Sequence, residues 1–217
     1  MTPHMIEGTL IVFAKAPDAG KAKTRLIPAL GADGAAALQA RLVRHTLNTA
    51  VATRDMQIEL WCTPSPEHPF FAQCARDFGV ALSRQEGADL GARMAHAMAH
   101  AVDRGPAVLT GTDCPALTAR HLRLARNALR KYDAVVAPAE DGGYVLIGLT
   151  HFNTDLFAGI NWGTDSVMSE TRVRLAARGT RWGELPALWD VDRPEDLMRL
   201  KHDYPALLAA DEPTLAA

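Results

Sequence analysis

The segment Thr9-Leu-Ile-Val-Phe-Ala14 indicates the fold class, because it shows the type of strand from which the sheet is built. It is short, apolar and rich in branched residues, and it lacks polar alternation, which is typical of a strand buried on both faces. Similar apolar runs recur along the chain and predict further strands. They cover residues 57–62, 80–83, 106–110, 133–138, 144–149 and 185–191.

Amphipathic stretches separate these runs and predict helices. The expected helices cover 35–53 with Asp33 as its cap, 70–78 ending at Gly79, 90–102, a helix capped by Thr118, 165–177, and one after Pro194. Strands that alternate with helices of this length indicate β-α-β crossovers. The sequence therefore predicts an α/β fold of three α/β/α layers with a mostly parallel sheet. The strands on either side of residue 141 are expected to form a local antiparallel extension.

No linker, repeat or shift in composition divides the chain, so we expect one domain over 1–217, with a core at 8–204 and a flexible tail at 205–217. The net charge of −2 does not indicate a basic surface that would bind nucleic acid or an anionic membrane. No apolar run approaches the ~20 residues of a membrane helix. Residues 1–8 lack the features of a signal peptide. Three irregularly spaced cysteines argue against a disulfide framework or structural zinc, and for a reducing cytoplasm.

The loop after the first strand carries four cations within eleven residues: Lys15, Lys21, Lys23 and Arg25. Such a loop, in which Gly20 permits close backbone approach, suits a diphosphate or triphosphate. It is not a P-loop, because Lys15 stands where that motif requires its first glycine. A solvated basic loop is the alternative interpretation.

Carboxylates follow two other predicted strands. Asp113 lies in the loop after the fourth strand, while Asp190 and Asp192 are two apart in an extended segment and would point the same way. The three could bracket one divalent cation that carries phosphates. A turn at Asp113, and a capping box formed by Asp192 with Glu195, are the alternatives.

The stretch Asp141-Gly-Gly-Tyr144 has the composition of a tight turn. If it faces a ligand, Asp141 would serve as a base or orient the attacking group, and Tyr144 would offer an aromatic face. His96 and His100 have zinc-ligand spacing, but without a third ligand nearby a helix-surface position is the better interpretation. Cys114 is expected to be a buried thiol, since no activating base is evident.

Several motifs occur in order along the chain. They are A-K-A-P-x-x-G-x-x-K-T-R-L after the first strand, Gln85-x-Gly-x-Asp-Leu-Gly-x-Arg-Met, Gly-Thr-Asp-Cys-Pro-x-Leu, Asp-Gly-Gly-Tyr-x-Leu-Ile-Gly, Trp162-x-Thr-x-x-Val and Asp-Val-Asp-x-Pro-Glu-Asp-Leu. In these motifs the chain resembles the GT-A-type glycosyltransferase family associated with arsenosugar biosynthesis and radical-SAM/selenium gene neighbourhoods. That family is similar to the wider nucleotide-diphospho-sugar transferase superfamily, which includes nucleotidyltransferases.

The resemblance implies a GT-A, Rossmann-like fold and a role for each motif. The loop from Ala14 through Lys15 and Gly20 would hold base and phosphates, with Lys23 and Arg25 on the phosphates. Gln85 and Gly87 would lie near the base. Asp113, Asp192 and Asp190 would bind Mg²⁺ or Mn²⁺, and the catalytic residues would be Asp113, Asp141 and Lys23. The acceptor would contact Gly142, Gly143, Tyr144 and Trp162.

Three functions are compatible with these residues. The first is a metal-dependent glycosyltransferase that moves a sugar from a nucleotide sugar to a small acceptor. The second is a nucleotidyltransferase that releases pyrophosphate, because Asp113-Cys-Pro resembles the D-x-P of nucleotidyltransferases more than the D-x-D of typical glycosyltransferases. The third is a nucleotide-binding protein without catalysis. The expected partners are a nucleotide or nucleotide sugar and a small acceptor, and no sequence feature indicates an oligomeric interface.

Overall fold

Seven strands form one sheet in the computed structural model, which describes residues 8–209. Their order across the sheet is β3-β2-β1-β4-β6-β5-β7. The strands are β1 (Thr9–Lys15), β2 (Gln57–Thr63), β3 (Ala81–Arg84), β4 (Ala107–Thr110), β5 (Ala134–Pro138), β6 (Tyr144–Leu149) and β7 (Trp182–Glu184). All are parallel except β6, which runs antiparallel to both of its neighbours, β4 and β5.

Six α-helices connect the strands and complete the other layers. They are α1 (Ile27–Val51), α2 (Pro69–Phe78), α3 (Leu90–Val102), α4 (Ala119–Ala128), α5 (Val167–Ala177) and α6 (Asp196–Asp203), with short 3₁₀ turns at Thr24–Leu26, Thr154–Leu156 and Pro205–Leu207. Helices α1, α2 and α4 cover one face of the sheet, while α3 and α5 cover the other. The predicted three-layer α/β/α fold with a mostly parallel sheet is confirmed.

Strand β1 is the centre of the core. Leu10, Val12 and Ala14 pack toward the face covered by α1, while Ile11 and Phe13 pack toward α3. Each of these five side chains is buried, which is why the segment needs apolar residues at successive positions. The prediction of a strand buried on both faces is confirmed.

The antiparallel pair differs from the prediction of a local extension. The hairpin of β5 and β6 lies inside the sheet, because β6 inserts between β4 and β5. Gly148 makes this insertion possible: a Cβ there would lie 2.8 Å from a methyl group of Val135 and 3.3 Å from one of Val108. The hairpin is therefore part of the central sheet and not an addition to it.

Two helix starts also differ from the prediction. Helix α1 begins at Ile27 with a proline in its first turn and bends at Gly31, whose φ is 72°, so Asp33 lies inside the helix and does not cap it. At α6, no capping box forms between Asp192 and Glu195. The Asp196 carboxylate instead accepts hydrogen bonds from the backbone N–H groups of Asp192 (2.9 Å) and Arg193 (2.7 Å).

The strand predicted at 185–191 is displaced, since β7 covers Trp182–Glu184. The Leu185 N–H still donates to the Val136 carbonyl at 2.8 Å, but the next donor position on β5 is Pro138, which has no N–H. The ladder therefore breaks there and resumes only as an isolated bridge between Leu188 and Ala139. Of the predicted tail at 205–217, Pro205–Leu207 forms a 3₁₀ turn and Leu207 packs against the start of α1. The part of the tail from residue 210 lies outside the described residues.

Candidate functional site

A cleft of about 640 Å³ opens at the carboxyl ends of β1 and β4. The chain proceeds from β1 to β2 and β3 on one side, then returns to place β4 on the other side of β1. The order of the strands thus reverses between β1 and β4, and the loops that follow these two strands run in opposite directions and leave a gap. Ligands bind at this switch point in open α/β sheets. The loop after β1 and the loop after β4 therefore form opposite walls of one cleft.

Lys23 connects these two walls. Its Nζ lies 2.9 Å from Oδ1 of Asp113 and also donates to the backbone carbonyl of Val191. The side chain is only 4% exposed, whereas that of Asp113 is 46% exposed. The backbone of Lys23 adopts the left-handed conformation with φ 46°, which costs free energy in a residue with a Cβ. The ammonium is thus held between the β1 loop, the β4 loop and the segment before α6.

Arg25 lies on the open side of the same loop. It forms an ion pair with the Asp192 carboxylate, and its side chain is 58% exposed. The segment that carries Asp192 is attached to the β4 loop by a hydrogen bond of 2.8 Å from the Val191 N–H to the Asp113 carbonyl. In this arrangement each of the two cations has its own carboxylate partner.

Asp113, Asp190 and Asp141 bring negative charge together in the cleft. Burial, followed by the charges of Asp141 and Asp113, raises the pKa of Asp190 to about 6, while Lys23 acts in the opposite direction. The strands thus position three carboxylates close enough to disfavour ionisation of one of them. A positive charge placed among them would be stabilised.

These carboxylates fit a divalent cation in chemistry, since Mg²⁺ and Mn²⁺ prefer oxygen ligands. Within residues 8–209, no three acidic, histidine or cysteine side chains converge closely enough to hold an ion by themselves. Asp192 is engaged by Arg25. The arrangement therefore suits an ion bound by one or two carboxylates and completed by substrate phosphates.

Gln85 lies at the start of the loop after β3 and lines the cleft. Its side-chain nitrogen donates to the carbonyls of Trp61 (2.8 Å) and Ala14 (3.2 Å), so it holds the ends of β2 and β1 together. Gly87 has φ 144°, and a Cβ there would lie 2.6 Å from the Arg93 nitrogen. Gly87 is thus required for the loop to pass against α3, and it is not among the residues that line the cleft.

The turn between β5 and β6 closes the far wall of the cleft. Oδ1 of Asp141 accepts from the Gly143 N–H at 2.9 Å, which leaves its second oxygen without a partner among residues 8–209. Gly142 has φ 92° and packs against the start of α5, where a Cβ would lie 2.2 Å from the Asp165 carbonyl oxygen. Asp141 and Gly143 line the cleft, whereas Gly142 supports them from behind.

Tyr144 and Trp162 form an aromatic wall beside this turn. Their ring centroids are 6.2 Å apart and the rings meet edge to face. Burial raises the pKa of Tyr144, so its hydroxyl is protonated at neutral pH. Tyr144 and Trp162, two of the four predicted acceptor residues, both line the cleft.

Among the remaining predicted positions, Ala14 and Lys15 line the cleft and Gly20 does not. Gly20 has φ 78° and allows the turn within the β1 loop. Several cleft residues have no predicted role; among those with polar side chains are Gln39, which donates to the Lys15 carbonyl at 3.2 Å, and Arg93. The signal for Gln39 was available, because it is an amide on the buried stripe of α1.

Cys114, His96 and His100 have no role in the proposed binding of phosphates or metal. Burial raises the pKa of the Cys114 thiol to about 12, in agreement with the prediction of an inert buried thiol. His96 and His100 pack edge-on against each other and around Trp61 on the α3 side of the sheet. No metal-binding group includes them among the described residues.

Comparison with known proteins adds a family to this geometry. A family model described as "uncharacterized protein conserved in bacteria (DUF2064)" matches residues 46–164, more than half of the chain. The chain belongs to the DUF2064 family. A solved structure, a candidate nucleotide-diphospho-sugar transferase from Desulfovibrio desulfuricans G20, is 32% identical, with a TM-score of 0.82 over 94% of each chain. The search of curated proteins found no match to this DUF2064 chain.

More distant structures share the fold of this DUF2064 chain. The 4-diphosphocytidyl-2C-methyl-D-erythritol synthase of Anaerococcus prevotii DSM 20548 is 10% identical, with a TM-score of 0.55 over 88% of this chain and 96% of its own. A cytidylyltransferase of Leptospira borgpetersenii is 15% identical, with a TM-score of 0.54 over 96% and 99%. The fold is that of the nucleotide-diphospho-sugar transferases and cytidylyltransferases. No helix among residues 8–209 has the length and hydropathy to cross a bilayer.

Proposed function

We propose that this chain is a metal-dependent transferase that uses a nucleotide-activated donor, and that it moves a sugar from a nucleotide sugar to a small acceptor. One observation carries the proposal: the cations of the β1 loop and the carboxylates after β4 meet in one cleft at the switch point of the sheet. The association with arsenosugar biosynthesis that the sequence resemblance implies, and a cytoplasmic location, belong to the same proposal.

The donor phosphates bind the loop from Lys15 to Arg25. Arg25 is exposed there, and its guanidinium can exchange the Asp192 carboxylate for a phosphate with little change in burial. Lys23, beneath it, balances the charge of Asp113 and lies beside the leaving diphosphate. The base lies near Gln85, whose amide is held by the ends of two strands.

A divalent ion, Mg²⁺ or Mn²⁺, would be held by Asp113 and Asp190, with Asp192 once Arg25 has turned to the phosphates, and would stabilise the charge that develops on the leaving diphosphate. Lys23 and Arg25 supply the same kind of stabilisation from the opposite wall of the cleft.

The acceptor lies against the turn between β5 and β6. Asp141 has one oxygen held by the Gly143 N–H, and its other oxygen accepts the proton of the attacking hydroxyl. Tyr144 and Trp162 provide the wall that orients the acceptor. Gly142 fixes the turn against α5, so Asp141 needs no rearrangement before it acts.

Nucleotidyl transfer is the second candidate, and the density of charge in the β1 loop favours it. Four cations within eleven residues suit a triphosphate whose pyrophosphate leaves. In that reaction an acceptor phosphate attacks the α-phosphate, and the same carboxylates and cations take part.

Ligand binding and product analysis test the proposal. Nucleotides and nucleotide sugars are screened by thermal shift with and without Mg²⁺ or Mn²⁺, since a ligand at 100 times its Kd adds about 2.7 kcal/mol of stability. Free nucleoside diphosphate as product supports glycosyl transfer, whereas pyrophosphate from a triphosphate supports nucleotidyl transfer. Asp113→Ala is expected to abolish metal-dependent turnover in a folded protein. If no nucleotide stabilises the protein, the proposal is wrong.

A further inference from the structure

The end of the cleft beside α3 is apolar. Leu90 and Met94 are one helical turn apart on α3 and both line the cleft. Leu90 is 45% exposed, more than any other leucine among residues 8–209. The Tyr144 hydroxyl lies 3.8 Å from the Met94 sulfur, and Trp162 meets the Tyr144 ring edge to face. These side chains leave a surface that an apolar or planar group would cover.

Backbone contact fixes this surface in place. Gly91 lies between Leu90 and the rest of α3, and a Cβ at Gly91 would be 2.4 Å from the indole nitrogen of Trp162. The indole therefore packs directly on the helix backbone, and no larger residue at position 91 leaves room for it. A rigid wall of this kind favours ligands of one shape, since it does not rearrange to fit others.

Arg93 adds a charge to this apolar end. Its Nε donates to the Gly87 carbonyl at 3.2 Å, which fixes the direction of the guanidinium. Among residues 8–209, no carboxylate pairs with it, although it is half-buried and lines the cleft. Lys23 and Arg25 differ in this respect, because each has an aspartate partner. The guanidinium thus keeps its remaining N–H donors for a ligand.

We infer that the acceptor is a small molecule with a carboxylate or phosphate group that Arg93 binds, and with an apolar or planar body that lies on Leu90, Met94 and Trp162. The inference rests on the proposed function, since it concerns the acceptor end of the same cleft. The donor uses the cations of the β1 loop, and the acceptor uses Arg93 on α3. The two anions are therefore recognised by different elements of the fold.

Binding of simple probes tests this inference. Phenyl phosphate and phenylacetate carry both features, whereas phenol and inorganic phosphate carry one each. Their Kd values are measured by tryptophan fluorescence, and Trp162→Phe establishes that the signal comes from this wall. We expect phenyl phosphate or phenylacetate to bind at least tenfold more tightly than phenol and inorganic phosphate. If neither does, the inference is wrong.

Two arginine variants separate the acceptor site from the donor site. Arg93→Gln is expected to weaken binding of the better aromatic anion roughly tenfold or more, and to leave the affinity for UDP, GDP or CDP unchanged. Arg25→Gln, the matched control, is expected to do the reverse. If Arg93→Gln lowers nucleotide affinity and spares the aromatic anion, Arg93 belongs to the donor and the inference fails while the proposed function stands. If wild-type protein binds no nucleotide, the proposed function fails instead.

Discussion

Replacement of Lys23 by methionine tests whether this nearly buried cation stabilises the fold more than Arg25, the exposed cation with which it is compared in the same loop. The methionine keeps most of the apolar stem but removes the ammonium, which bonds the Val191 carbonyl and Asp113 in a nearly buried position. A hydrogen bond from a charged donor contributes about 1.5–3 kcal/mol. The ion pair with the half-exposed Asp113 adds up to about 1 kcal/mol. Since the methionine recovers part of this by packing, we expect Lys23→Met to lower the free energy of unfolding by about 2–3 kcal/mol.

Arg25→Met provides the control, because its ion pair with Asp192 is largely exposed. We expect it to cost less than about 1 kcal/mol. Both free energies come from urea unfolding at neutral pH, where the slope of the transition should be the same for the two variants. Equal losses of stability in the two variants would refute the argument, because they would show that the contacts of Lys23 with the β4 loop contribute no more than a surface pair.

Other variants and reagents test the rest of the site. Asp141→Asn should lower turnover and leave nucleotide affinity nearly unchanged; wild-type kinetics would show that the residue only shapes the turn. Gly142→Ala should destabilise the protein by about 2 kcal/mol or more in chemical unfolding, because its Cβ would meet the backbone at φ 92°. Gly143→Ala, with only a contact of 3.2 Å to the Asp141 carboxylate, should cost less; the opposite order would contradict this account. The pKa values of Cys62 and Cys114 are raised to about 12, so these thiols stay protonated at pH 8, and iodoacetamide should label them only after denaturation.

The sequence predicts this fold well because the central strands are continuous apolar runs and the helices between them are amphipathic. The same patterns do not show where a strand lies in the sheet. The position of β6 between β4 and β5 depends on the close packing of Gly148 against Val135, which only the tertiary structure reveals. The end of β7 likewise depends on register: Pro138 of β5 offers no N–H to the Leu185 carbonyl, and the sequence pattern does not show which residues of the two strands are paired.

For the site too, the sequence indicates which loops carry the polar residues but not how their side chains pair. A parallel sheet puts the loops that follow its strands at one edge, and the structure brings the loops after β1 and β4 together in one cleft there. Sequence gave no indication that Lys23 would be buried on Asp113 while Arg25 stayed exposed on Asp192. Such pairings depend on side chains from distant parts of the chain, and local patterns carry no information about them. The roles of these residues in binding and catalysis stay predictions.

The insertion of β6 has a consequence for the order in which the chain is assembled during translation. Strand β4 is buried at each of its four positions, yet one of its edges has no partner until residues 144–149 have left the ribosome. At about 5–20 residues per second, the roughly 40 residues from the end of β4 to the end of β6 delay that partner by about 2–8 s. An unpaired apolar edge can join a strand of another chain in this interval. Truncated forms that end between β4 and β6 should therefore aggregate, and a fragment designed to fold by itself should extend beyond Leu149.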